Sequence, residues 1–338
     1  MNEPTDLPSP TLNNDSVISD NAPWEQYKRP YVRDLAFALA CPNVLTHWLD
    51  FTGNENAGGS YNKSSIKNTD KSTAEISVHS AKFWHAQYKA YKGRLEILDN
   101  TSAYQDLTRY LLARPSPNRL GFHFEGLLSF WLTDGFAHGY HPYEVLASNV
   151  QLYCGKQTSG ELDLVLYNHQ EKLTEHWELA IKFFMGSAPF APVNWVGINS
   201  KDNLQRKMTH MQTKQFRTLA VDTKNHGHII IDKRYAVIKG RFFLPVMLIK
   251  FHRPDWFTAT FPQHRWYDSR DSANLAHIDM STLRRARYIE WFTKRECYDD
   301  AISTPPLWQP HLLPDAGQYF EGNTPLVIYP SYQNSDLV

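Results

Sequence analysis

The sequence is poor in cysteine and carries no excess of either charge. Three cysteines, Cys41, Cys154 and Cys297, stand far apart in 338 residues. Their number is odd and their spacing fits neither zinc-ligand pairs nor a disulfide framework, so neither kind of staple is expected and a reducing compartment is implied. Lys plus Arg and Asp plus Glu both total 35. The overall basic field that draws nucleic acid is therefore missing, and any anion-binding surface has to come from local arrangement of charge. No apolar stretch approaches the roughly 20 residues that span a bilayer. The opening MNEPTDLPSP lacks the basic start and apolar run of a secretory leader. The expectation is a cytoplasmic protein that does not engage membranes. There is also no serine elbow, reactive-cysteine motif or glycine-rich phosphate loop, which leaves acyl transfer and nucleotide-triphosphate binding without a motif.

What the chain does have is aromatic bulk: 18 Phe, 18 Tyr and 10 Trp. Rings of this size bury large areas, so a core role is expected ahead of base stacking. Residues 1–23 are polar and rich in Pro, Asn, Asp and Ser, the composition of a disordered tail. A helical N-terminal region follows at 24–118. In it VRDLAFALACPNVLTHWLDF (32–51) has helical spacing broken by Pro42, 53–80 reads as a polar insertion, and SAKFWHAQYKAYKGRLEILD (80–99) resumes helical spacing.

The stretch 119–240 reads as a catalytic core. NRLGFHFEGLLSFWLTDG (118–135) repeats apolar residues at three- and four-residue steps, which predicts a helix. Strand patterns follow at 143–154, 160–168 and 176–185, the last two joined by a short polar connection. Residues 200–220 predict a second helix capped by Ser200. HIIID (228–232) or RYAVIKG (234–240) offers a further strand. The order helix, three strands, helix, strand belongs to a mixed α/β (α+β) sandwich. Residues 241–338 read as an extension packed on the core, with one helix at 281–297.

Within this core Glu161 and Asp163 lie two apart on one strand and share a face; Glu178, Ala180 and Lys182 do the same on the next. If the strands are hairpin neighbours, two carboxylates and a lysine converge at one end of the sheet. Two hard oxygen ligands suit Mg²⁺, whose remaining positions go to water and substrate phosphate. A lysine beside them can orient the attacking water or neutralise charge on the phosphorus centre. Each residue also has a plainer reading. The acids can be charged strand ends, Lys182 their structural partner, and Lys207, Lys214 and Arg217 a solvated helix face.

GELDLVLYN followed by HWELAIKFF resembles the core of the PD-(D/E)XK nuclease superfamily, and GELDLV is similar to a strand of archaeal Holliday-junction resolvases and restriction-like endonucleases. RLGFHFEGLLSFWL, GELDLVL, HWELAIKFF and DNLQRKMTHMQTKQF together resemble a bacterial family described only as a domain of unknown function, DUF1853, which is grouped with these nucleases. The resemblance implies a restriction-endonuclease-like fold and a phosphodiesterase dependent on Mg²⁺ or Mn²⁺. Its implied partner is nucleic acid, with DNA ahead of RNA. By the same resemblance Asp163 matches the metal-binding acid, Lys182 the catalytic lysine, Glu125 a further metal ligand on the first core helix, and Gln215 a glutamine that contacts the site. Glu161 and Lys207 are supporting residues.

The pattern departs from the family at one point. The usual acid two residues before the lysine is replaced by Ala180, and Glu178 lies four before Lys182, about 13 Å along a regular strand. Three readings are open: a bulge that closes the gap, an acid that has migrated to Glu178, or a degenerate site on a module that binds nucleic acid or protein without cutting.

Overall fold

The computed structural model describes residues 22–51, 75–117, 119–154, 157–223, 225–295 and 315–330. The expected tail at 1–23 lies almost wholly outside these residues, as do most of the polar insertion, Cys297 and the end of the helix expected at 281–297.

In chain order, α1 (Pro30–Ala40), a short β1 (Ile76–Ser77), α2 (Ala81–Asn100), α3 (Tyr104–Leu112) and α4 (Leu120–Ala137) come first. Three long strands follow: β2 (Tyr143–Cys154), β3 (Gln157–Asn168) and β4 (Leu173–Gly186). Next come β5 (Trp195–Val196), α5 (Leu204–Thr213), the hairpin β6 (Ala220–Thr223) and β7 (Gly227–Ile230), and β8 (Lys233–Pro245). The chain closes with β9 (Gln263–Asp268), α6 (Ser272–Leu275), β10 (Leu283–Arg285), β11 (Gly317–Glu321) and β12 (Thr324–Tyr329). The main sheet runs β10-β11-β12-β9-β8-β4-β3-β2, with β1 added to β8 and β5 to β4. The three strands expected at 143–185 are consecutive antiparallel neighbours, whereas β4, β8 and β9 run parallel. The result is a mixed α/β fold with a large mixed sheet flanked by helices.

Local chemistry accounts for the element ends. Pro30 starts α1 at the first turn, where its missing N–H costs nothing, and Pro42 follows directly on the C-cap, Cys41. Ser80 caps α2 by accepting from the Phe83 amide at 3.2 Å. Helix α5 is shorter than the 200–220 read from the sequence, and its cap is Asn203, not Ser200. The Asn203 side chain accepts from the Arg206 amide at 2.8 Å, and a 3-10 turn over Gln215–Arg217 follows the helix. Both candidate strands after it form: β7 in a separate hairpin, β8 in the main sheet.

The helix expected at 281–297 is not present over its described residues. Leu283–Arg285 pair with β11, and Tyr288–Trp291 make one 3-10 turn. The reason is tertiary: Arg284 grips buried Glu290 at 2.7 and 2.9 Å, which fits a turn beside the strand. The boundary expected at 240 falls inside β8, and β9 to β12 extend the same sheet beyond it.

The aromatics are spent on the core. Trp84, Trp131, Trp177 and Trp195 are all fully buried. Trp177 on β4 meets Trp84 of α2 at 6.0 Å, Trp131 of α4 at 6.4 Å and Tyr143 of β2 at 5.3 Å between ring centroids. These edge and tilted contacts lock α2 and α4 onto one face of the sheet. Lys239 sits in the same interior. Its ammonium lies 3.2 Å from the centroid of the Trp84 ring and donates to the Ala38 carbonyl at the end of α1.

Where β8 passes β4, Gly240 pairs with Lys182 at φ +134°. A Cβ there would fall 1.8 Å from the Lys182 carbonyl oxygen, so the close approach of the two central strands needs glycine. We expect Gly240→Ala to destabilise the fold by about 3 kcal/mol or more. A denaturant midpoint within experimental error of wild type would refute that.

Candidate functional site

The site forms where β3 and β4 part. Their backbone register pairs Leu164 with Trp177, and pairing stops there. One step further in the same register sets Asp163 across from Glu178, and directly opposed residues of an antiparallel pair share a face. Beyond this point β3 pairs only with β2, while β4 runs on beside β8 without a break from Glu175 to Met185. The bulge that would have drawn Glu178 towards Lys182 is therefore absent.

The Asp163 carboxylate accepts from the Leu179 amide at 2.7 Å and interacts electrostatically with the facing Glu178 carboxyl. Glu178 is fully buried. One of its oxygens accepts from the Gln215 side-chain amide; the other, Oε2, has no hydrogen bond. His176 Nε2 comes within 3.3 Å of that oxygen without bonding to it. Burial, and after it the charge of Glu178, pushes the Asp163 carboxyl well above the usual range. Burial pushes Glu178 up to about 7 against the opposing pull of Lys207. Both carboxyls are thereby shifted towards the protonated form, because two facing carboxylates in a poorly hydrated place disfavour joint ionisation. Burial holds His176 down at about 4, so it is neutral beside them.

Glu125 reaches the fork from α4. Its carboxylate accepts from Asn149 at 3.3 Å and lies 3.9 Å from Arg114. Burial and then the charge of Asp163 push it up to about 7. Asn149 takes a left-handed backbone, φ +51°, and its side-chain oxygen accepts from Arg114. Glu161 is half-buried one alternation along β3 and acts on Glu125 and Glu178 only through its charge.

The two lysines have different partners. Lys182 donates to Asp202 at 2.6 Å, at the approach to α5, and contacts neither acid of the pair. Lys207 lies on the inward side of α5, one turn from each of the buried residues Leu204 and Met211. Its ammonium donates to Gln215 at 3.3 Å and faces Glu178 and Asp163, whose charges partly offset the burial that lowers its pKa. The structure thus brings together Asp163, Glu178, Gln215 and Lys207, with Glu125 nearby, and leaves Lys182 outside. Sequence reasoning missed Asp202, His176, Asn149 and Arg114. Only His176 carried a signal, since it shares a strand face with Glu178 two positions on.

Among the described residues no group of three or more His, Cys, Asp or Glu is arranged to hold a metal ion. The available donor set is the adjacent carboxyls of Asp163 and Glu178, one oxygen of which is buried without a partner. That set suits a cation taking one or two carboxylates and completing its shell with water and substrate, as Mg²⁺ does.

Fold and site together define a mixed α/β protein with an acidic cluster at a fork in its sheet. Residues 33–309 match a family model described as Domain of unknown function (DUF1853), and the chain belongs to that family. No curated protein and no solved structure matches it. Among the described residues no helix is long and apolar enough to cross a membrane.

Raised carboxyl pKa values make the folded state bind protons that the unfolded chain has released. Their stabilising contribution is therefore full below the ordinary carboxylate range and is lost as pH rises through about 7. Buried histidines act in the opposite direction over part of that range, so the comparison should be with Glu178→Gln. In chelator we expect this variant to gain stability over wild type by on the order of 2 kcal/mol more at pH 8 than at pH 5. Parallel pH–stability curves for the two proteins would rule out the upward shift of Glu178.

Proposed function

We propose that the protein is a divalent-metal-dependent phosphodiesterase of the PD-(D/E)XK type, with a restriction-endonuclease-like core, acting on nucleic acid and on DNA in particular. The observation that carries this reading is the facing placement of Asp163 and Glu178, electrostatically coupled, at the point where β3 and β4 separate. Adjacent strands delivering two carboxyls to one point, beside the half-buried Lys207, form the donor set that Mg²⁺ or Mn²⁺ and a phosphate group need. The order of segments along the chain supports the same assignment.

Asp163 and Glu178 would hold the metal, and the charge of Glu125 interacts with both of them. Bound there, the metal would lower the pKa of water and polarise a phosphoryl oxygen. The chain's own groups set the rest. The Leu179 amide fixes the Asp163 carboxylate, and Gln215 fixes Glu178. In the hydrolysis, water oxygen bonds to phosphorus and the bond to one sugar oxygen breaks. One water proton ends on the leaving hydroxyl, and the other is released from the new monoester. Glu125, with its pKa near 7, is poised to exchange a proton at neutral pH.

The test is to measure Mn²⁺ binding by calorimetry and Mg²⁺-dependent cleavage of DNA and RNA, for wild type, Asp163→Ala and Glu178→Ala. Both variants should lose metal binding and at least about a hundredfold in cleavage. Wild-type Mn²⁺ affinity in Asp163→Ala would exclude the metal site. Absence of cleavage by wild type with Mg²⁺ or Mn²⁺ on either substrate would leave the site as a non-catalytic module.

A further inference from the structure

The strand register changes which member of the family pattern is missing. Asp163 faces Glu178 across the fork, so Glu178 stands in the position of the acid, not of a displaced substitute. The residue two further along β4, where the pattern carries its lysine, is Ala180. Lys182 is two residues beyond that, and its ammonium is committed to Asp202.

We infer that Lys207 on α5 replaces the missing strand lysine, and that Lys182 and Gln215 are positioning residues that hold it there. This rests on the nuclease reading of the site. Lys207 points to the sheet from the same helical side as Leu204 and Met211, both buried. A lysine on such a side costs solvation unless it faces charge, and the carboxyls of Asp163 and Glu178 supply that charge. Gln215 joins the two parts directly: its oxygen accepts from Lys207 and its amide nitrogen donates to Glu178. The space for this arrangement comes from β4 itself. Ala180 is the smallest side chain among the alternate residues His176 to Phe184 on that strand, and so takes up least room on the face that Glu178 shares. The Lys182–Asp202 pair ties β4 to the start of α5, just ahead of the Asn203 cap, and so fixes where along the sheet Lys207 is delivered. In the reaction Lys207 contacts a non-bridging phosphate oxygen and offsets the charge that develops on it as water attacks.

Lys207→Met keeps the aliphatic stem and removes the charge. It should melt no lower than wild type, bind Mn²⁺ and lose about a hundredfold in kcat with a smaller change in KM. Lys207→Arg should recover part of that loss. A readout independent of turnover is DNA binding in Ca²⁺ across a salt series, where Lys207→Met should reduce the log–log slope by about one, as loss of a phosphate contact does. Lys182→Ala should leave that slope unchanged and lose less activity, with a lower melting temperature. A fully active wild type whose Lys207→Met variant keeps both its rate and its salt slope would overturn this assignment while leaving the nuclease reading intact. So would a larger kcat loss in Lys182→Ala than in Lys207→Met. A wild type that neither cleaves nor binds DNA would overturn both.

Discussion

Two carboxyl groups face each other inside this protein, and the surrounding structure is arranged to tolerate their proximity. Asp163 and Glu178 come from strands that pair for five residues and then separate. A continuous hairpin would have covered the pair with the next rung of backbone hydrogen bonds. The separation instead leaves them at an inner corner reached by α4 on one side and by α5 with its following turn on the other. Unscreened, this proximity would be strongly unfavourable. It is relieved by a shift of both carboxyls towards protonation, by the Leu179 amide, by Gln215 and by the charge of Lys207. Under the proposed function a divalent cation takes the place of protonation.

The constraint extends outward from the fork. β4 can leave β3 only because it is held on its other side by β8, in parallel register over eleven residues. That closeness requires Gly240. The opposite face is pinned by Trp177 among Trp84, Trp131 and Tyr143, which fixes β4 against rotation and hence the direction of Glu178 on its far face. The aromatic richness of the sequence thus serves the site indirectly, by rigidity and not by stacking on a ligand.

A lysine on a helix is a weaker geometric guarantee than one on a strand, because a helix can slide on the sheet. Two devices compensate here. The ion pair Lys182–Asp202 anchors the start of α5, and Gln215 anchors the turn after it to Glu178. Together they hold both ends of the helix that bears Lys207. Under the proposed function the lysine of the strand serves the site through position instead of chemistry.

Much of this was legible in the chain itself. The alternation in GELDLVLYN and HWELAIKFF, joined by a short polar link, predicted hairpin neighbours and put Glu161 with Asp163 and Glu178 with Lys182 on single faces of their strands, because side chains on a strand repeat with period two; the register that sets Asp163 opposite Glu178 came from the structure. Pro42 ended α1 directly after its C-cap. The sequence could not say where the strands part, because backbone pairing at the fork is decided by β8 and by α5, elements 50 or more residues from Asp163 in one case and more than 20 from Glu178 in the other. Nor could it assign the lysines. Lys182 and Lys207 differ in no local feature that predicts their partners, and only packing sets one against Asp202 and the other towards the carboxyls. For the same reason 281–297 looked helical: its spacing suits a helix, but pairing with β11 and the grip of Arg284 on Glu290 are stronger than that preference. Local periodicity determined the strands and their faces; long-range pairing decided which side chains meet, since those contacts join residues that nothing in the linear order brings together.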